Sequence, residues 1–130
     1  MDATNGRDGV RIFAKPQVRL AGLLATAIRL NSVPMVIGVL QIELVIDGSE
    51  SLKDKRRVVK SLKDRLHREH YVAVAEVDRQ EAHQIAVLGI AAISNSGAHA
   101  QGMLDRILDQ IRHDRSVVVN DQQTEIITGH

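Results

Sequence analysis

The sequence contains no cysteine. That excludes disulfides, thiol catalysis, iron–sulfur clusters and thiolate zinc sites, and it fits a reducing cytoplasm. Aromatic residues are almost as scarce: Phe13 and Tyr71 are the only two, and there is no tryptophan. Proteins that grip single strands stack bases on aromatic rings at roughly 1–3 kcal/mol per base. This chain has no such platform, so a nucleic-acid partner would have to be read through backbone charge and shape. No uncharged run reaches the roughly 20 residues of a membrane span, because Arg19 and Arg29 interrupt the apolar stretch Val18–Leu30. Gly89, Gly97 and Gly102 do not form a dinucleotide or P-loop fingerprint. The six histidines (67, 70, 83, 99, 113, 130) follow no ligand spacing, and no serine–histidine–acid set can be assembled. A non-enzymatic binding protein without cofactor, catalytic residues or metal site is expected.

What is present is ordinary globular material. The chain has 130 residues, 44% hydrophobic and 25% charged, which is one domain with room for a tail. A domain of this size must manage with one modest core. The overall charge of +1 conceals an asymmetry. Between Leu52 and Arg68 stand eight basic residues against Asp54 and Asp64, a net of +6. Residues 35–130 as a whole sum to −2, so everything there outside 52–68 sums to −8. Positive charge is concentrated on one element.

Residues 1–34 read differently from the rest. They carry five basic residues against Asp2 and Asp8 and end at Pro34, directly before a second methionine, Met35. A disordered extension, or a segment upstream of a native start at Met35, is the expected reading. A signal peptide with Ala25-Thr26-Ala27 as cleavage site and an amphipathic helix are the alternatives.

From Val36 the patterning becomes regular. Val36–Ile46 is rich in β-branched residues and leucine, with Gln41 and Glu43 alternating on one side, which predicts a buried strand. Asp47-Gly48-Ser49 is a turn signal and Ser51 a helix cap. Leu52, Val59, Leu62 and Leu66 recur at helical spacing, predicting an amphipathic helix over 52–69. Tyr71–Asp78 and Ile85–Ile93 read as strands joined by a short polar connection. Ser94-Asn95-Ser96-Gly97 supplies caps and a turn before a second helix marked by Met103, Leu104, Ile107, Leu108 and Ile111. Val117–Ile127 is the last predicted strand, its length in doubt because Asn120–Gln123 is polar. The order β-α-β-β-α-β predicts an α+β, ferredoxin-like fold: a four-stranded antiparallel sheet with both helices on one face. Strand one then carries Ile37, Val39 and Val45 on the uncovered face, and an open apolar face invites self-association. A homodimer through the sheet is therefore expected, although small residues such as Ala73, Ala75 and Ala91 would also make that face tolerable in water.

The first helix is the sharpest functional feature. Lys53, Arg56, Lys60, Lys63 and His67 fall at helical offsets that line one outward face, with Arg57 and Arg68 flanking it. Such a stripe neutralises several phosphates at once. Double-stranded RNA suits it best, being read through backbone, 2′-hydroxyls and shape; an acidic protein surface would also suit it. A charge run is more commonly a solvated face, but eight cations against two acids exceeds what solubility requires. Lys53, Arg56, Arg57, Lys60, Lys63 and Arg68 are the expected RNA-binding residues. A second constellation is acidic: Glu76 and Asp78, on one predicted strand face, would converge with Glu43, with Glu81 and His83 nearby. Carboxylates and a histidine can hold a divalent cation, yet a loop-edge acidic patch is far commoner.

Ser51-Leu52-Lys53-Asp54-Lys55-Arg56-Arg57, continued by Lys60-Ser61-Leu62-Lys63-Asp64-Arg65-Leu66, closely resembles the signature of the YlxP-like family, catalogued as domain of unknown function 503. Val74-Ala75-Glu76-Val77, Leu88-Gly89-Ile90 and Ser94-Asn95 resemble its later motifs, and Met35-Val36-Ile37-Gly38 resembles a family start. The likeness covers about 35–127. It implies a ferredoxin-like fold in a small bacterial cytoplasmic protein. The family's gene often lies among those for translation initiation and ribosome maturation, which implies ribosomal RNA or ribosomal particles as the partner, with neither DNA nor membrane expected. The alternative is a homo-oligomeric small-molecule-sensing or protein-interaction module that uses the open sheet face. The long N-terminal segment departs from the family pattern.

Overall fold

The computed structural model describes residues 35–128. The N-terminal segment 1–34, with the expectations placed on it, lies outside the described residues. Strand β1, Val36–Val45, alternates as its sequence implies. Leu40, Ile42 and Leu44 are buried on one face, while Ile37, Val39 and Val45 are half-exposed on the other. The chain then reverses at Asp47-Gly48, where Gly48 takes a φ of +82°, a conformation that a side chain resists.

Helix α1, Leu52–Glu69, begins at Ser51, whose Oγ accepts from Asp54 N at 3.0 Å. The Asp54 carboxylate accepts from Glu50 N at 3.0 Å in return. This reciprocal cap satisfies two backbone donors and contributes about 1 kcal/mol. Strand β2, Ala73–Asp78, is shorter than the predicted 71–78: Tyr71 is 97% exposed and precedes it. A lone tyrosine with nothing to pack against does not extend a strand. Strand β3, Ile85–Ser94, follows the hairpin loop 79–84. Ser96 caps helix α2, Gly97–Arg112, its Oγ accepting from His99 N at 3.2 Å. Strand β4, Val118–Thr128, continues through the polar Asn120–Gln123 stretch, with a bulge at Asn120.

The sheet order is β2-β3-β1-β4, antiparallel throughout. This is the ferredoxin-like α+β arrangement, with the most hydrophobic strands in the centre. Val59, Leu62 and Leu66 of α1 and Leu104, Ile107 and Ile111 of α2 pack on Leu40, Ile42, Leu44, Leu88 and Ile90. Each such side chain contributes about 1.5–3 kcal/mol when fully buried. Helix α2 lies so close to β1 that a Cβ on Gly38 would stand 2.9 Å from Leu104 Cδ1 and 3.3 Å from Ala100 Cβ. Two register shifts break the ladder, between Glu43 and Leu44 against β4 and between Glu76 and Asp78 against β3. Among the described residues, no helix is long and apolar enough to cross a membrane.

Candidate nucleic-acid interface

Burying one stripe of α1 against the sheet turns the rest of its circumference outward. Lys53, Arg56, Arg57, Lys60 and Arg68 are exposed and Lys63 is half-buried, so the structure brings the six sequence-predicted residues onto one helix. From Lys53 to Arg68 the helix rises about 22 Å. Lys53, Arg56, Lys63 and Arg68 have no ion-pair partner among the described residues. Arg57 stands 3.7 Å from Asp54, too far to be tied down, and its side chain is 69% exposed. Lys60 donates to Asp64 at 2.8 Å. That hydrogen bond holds the Asp64 carboxyl below its ordinary 3.8, against slight desolvation and with help from the charges of Lys60, Arg68 and His67. Exposed i,i+4 pairs of this kind are weak, because water and salt screen them. Lys60 is therefore still available to a stronger anion. Arg57, Lys60, Ser61, Asp64, Arg65 and Arg68 border a shallow cleft of about 350 Å³ on this face.

Two cations of the same run have other tasks. Arg65 is bonded to Asp114, in the turn after α2. Burial would raise the Asp114 carboxyl, but hydrogen bonds from Ser116 and Arg65 outweigh it and hold the group below its usual 3.8. Lys55 is only 1% exposed. Its Nζ donates to the carbonyls of Arg79 at 2.8 Å, Ile85 at 3.1 Å and Gln80 at 3.3 Å, and lies 2.9 Å from Glu76 Oε2. The three carbonyls take the ammonium's three protons, and the Glu76 carboxylate, whose Oε2 has no hydrogen-bond partner, is held by charge. Lys55 ties α1 to the hairpin loop, including Arg79, whose φ of +62° puts its backbone in the left-handed region. The loop is held from the other side too: Ser49 Oγ donates to His83 O at 2.6 Å, and Gln84 Nε2 to Ser49 O at 3.0 Å. Charge counting treats Lys55 as one more surface cation. Its position, three residues after Leu52 and four before Val59, is the signal that it belongs to the buried stripe.

The predicted convergence of Glu76 and Asp78 with Glu43 does not occur. The register shift between Glu76 and Asp78 separates the two acids. Glu76 faces the helix layer and Lys55, whereas Asp78 stands opposite Val87, itself opposite Glu43. Asp78 Oδ1 accepts from Arg79 N at 2.7 Å, and Glu81 and His83 sit exposed in the loop. Among the described residues no three such groups are placed to hold a metal ion. Glu43, in contrast, is 6% exposed: Asn120 Nδ2 donates to its Oε2 at 2.7 Å, while Oε1 has no hydrogen-bond partner. Asn120 reaches it from the bulge in β4, and nothing in the local sequence joins residues 77 positions apart.

Fold and surface together define a small α+β protein of ferredoxin-like topology with one cationic helix. The model of the family described as a protein of unknown function (DUF503) matches residues 37–124, and the chain belongs to that family. The uncharacterized protein YlxP of Bacillus subtilis (strain 168) is similar to it, 34% identical over 73 residues, which span 56% of this chain and 79% of that protein. Among solved structures, the de novo designed protein Foldit4 aligns with 71% of this chain and 94% of its own at 16% identity, with a TM-score of 0.43.

Proposed function

We propose that this protein binds structured RNA, ribosomal RNA or ribosomal particles being the expected partners, through the outward face of α1. The observation that carries the reading is the presentation of Lys53, Arg56, Arg57, Lys60, Lys63 and Arg68 along one helix, four of them without an ion-pair partner among the described residues. Unpaired cations at this density favour a polyanion, because each phosphate they neutralise releases condensed counterions. The scarcity of aromatic residues favours a duplex, whose backbone and shape are read without stacking.

Six phosphate contacts would give a salt dependence of roughly −5 in log K against log salt, a loss of about a thousandfold between 50 and 200 mM. The test is co-sedimentation with ribosomal particles, and retention on ribosomal RNA, at both salt concentrations. The Lys53→Glu, Arg56→Glu, Lys60→Glu, Lys63→Glu variant should fold and lose retention at low salt. Equal retention by that variant would refute the reading. Retention by an acidic protein but not by RNA would move the face to a protein partner.

A further inference from the structure

Arg65 belongs to the basic run of α1, yet the structure bonds it to Asp114, in the turn between α2 and β4. That turn, residues 114–117, is closed by Val117 N donating to Asp114 O at 3.5 Å. Asp114 Oδ1 accepts from Ser116 N at 2.8 Å and from Ser116 Oγ at 2.6 Å. Its Oδ2 meets Arg65, and Val117 is buried in the core. Ser116 borders a hollow of about 310 Å³ together with Asp54, Arg57 and Val58 of α1. Arg57 also borders the cationic cleft, with Ser61, Arg65 and Arg68. The cationic surface therefore continues from the helix onto the turn.

Arg115 stands between these anchors. It is exposed and has no ion-pair partner among the described residues. Arg112 and His113, just before it, are exposed as well, the latter 3.7 Å from Asp109. Asp47 and Asp54 border the hollow and bound the positive surface at that end. Lys53, Arg56, Lys60 and Lys63 follow the flank of α1 that lies away from Arg65. About one helix width, roughly 10–12 Å with side chains, thus separates them from the turn. Cations stand on both sides of the helix. A single strand offers one row of phosphates, whereas a duplex offers two, on either side of its groove.

We propose that the 114–117 turn is a second phosphate-binding element with Arg115 as its contact. The Arg65–Asp114 bond positions it, so that α1 and the turn hold the two strands of one RNA duplex. The inference rests on the RNA reading and deepens it. The test measures affinity and salt dependence for an RNA duplex and for one of its strands alone. Arg115→Gln should bind the duplex roughly tenfold more weakly at about 50 mM salt, with a slope shallower by about 0.9. It should bind the single strand as the unaltered chain does. Asp114→Asn separates positioning from charge. Removing an anion and freeing Arg65 would by charge alone tighten binding, whereas a loosened turn weakens it. Asp114→Asn should therefore bind the duplex more weakly, and cause no further loss where Arg115→Gln is already present. That comparison keeps the test decisive if Asp114→Asn is partly unfolded, because unfolding would weaken both backgrounds alike. An unchanged slope in Arg115→Gln, tighter duplex binding by Asp114→Asn, or an equal loss on the single strand would each overturn the proposal and leave the RNA reading standing. Binding of neither RNA by the unaltered chain would overturn both.

Discussion

Replacing Lys55 by methionine preserves the length of a buried stem and removes only its nitrogen. The carbonyls of Arg79, Gln80 and Ile85 would lose their donor, and Glu76 would lose the cation 2.9 Å away. Breaking a buried pair by deleting one partner costs about 3–5 kcal/mol, chiefly because the other charge is stranded. Glu76 retains 19% exposure, through which water recovers part of that loss, so about 3 kcal/mol is expected. For a domain of this size each kcal/mol lowers Tm by roughly 4–8 °C, giving a fall of roughly 12–24 °C. Far-UV circular dichroism in urea and on heating is the suitable assay, since tryptophan is absent and Tyr71 is almost wholly exposed in both states. The double variant Lys55→Met, Glu76→Leu should regain much of the loss, because an apolar pair leaves no stranded charge. Lys55→Met should also leave the salt dependence of RNA binding unchanged, as its amine does not reach the surface. A destabilisation below about 1 kcal/mol, or a flattened salt dependence, would refute the assignment of Lys55 to the interior.

Three further outcomes follow from the same geometry. Asp114 has its pKa held below 3.8, so its pairing with Ser116 and Arg65 contributes fully above that pH and is lost as the pH falls from there through the folded-state value. Asp114→Asn should lower stability at neutral pH and flatten the acid limb of the pH–stability curve, and an unchanged acid limb would contradict it. Gly38→Val should cost about 1–3 kcal/mol by overpacking against Leu104 and Ala100, whereas Gly102→Ala, 3.5 Å from the flexible end of Arg106, should be neutral or stabilising in the same denaturation assay. Asp64→Asn removes a carboxylate from the middle of the cationic face and frees Lys60. Titration of duplex RNA at low salt should therefore show tighter binding than the wild type, and weaker binding would mean that Asp64 orders the face rather than opposing it.

The order of elements was legible from residue spacing because it depends on local periodicity alone. The 2-residue alternation of Val36–Val45 and the helical recurrence of Val59, Leu62 and Leu66 name the buried faces before any partner is known. The outward cations of α1 were legible for the same reason: once the stripe turns inward, geometry leaves them nowhere else to point. Pairing between distant segments was not legible. Glu76 and Asp78 share a face in any regular strand, and only the irregular register against β3 parts them. Asn120 looked like an interruption, yet the bulge turns it onto Glu43 and lets β4 continue. Lys55 stood at a stripe position, but the carbonyls that make its burial tolerable belong to the hairpin loop and the first residue of β3, 24–30 residues away. Periodicity along a chain determines which side of an element is covered. Which polar groups are satisfied beneath that cover depends on what the folded backbone brings alongside, and only the tertiary structure decided that.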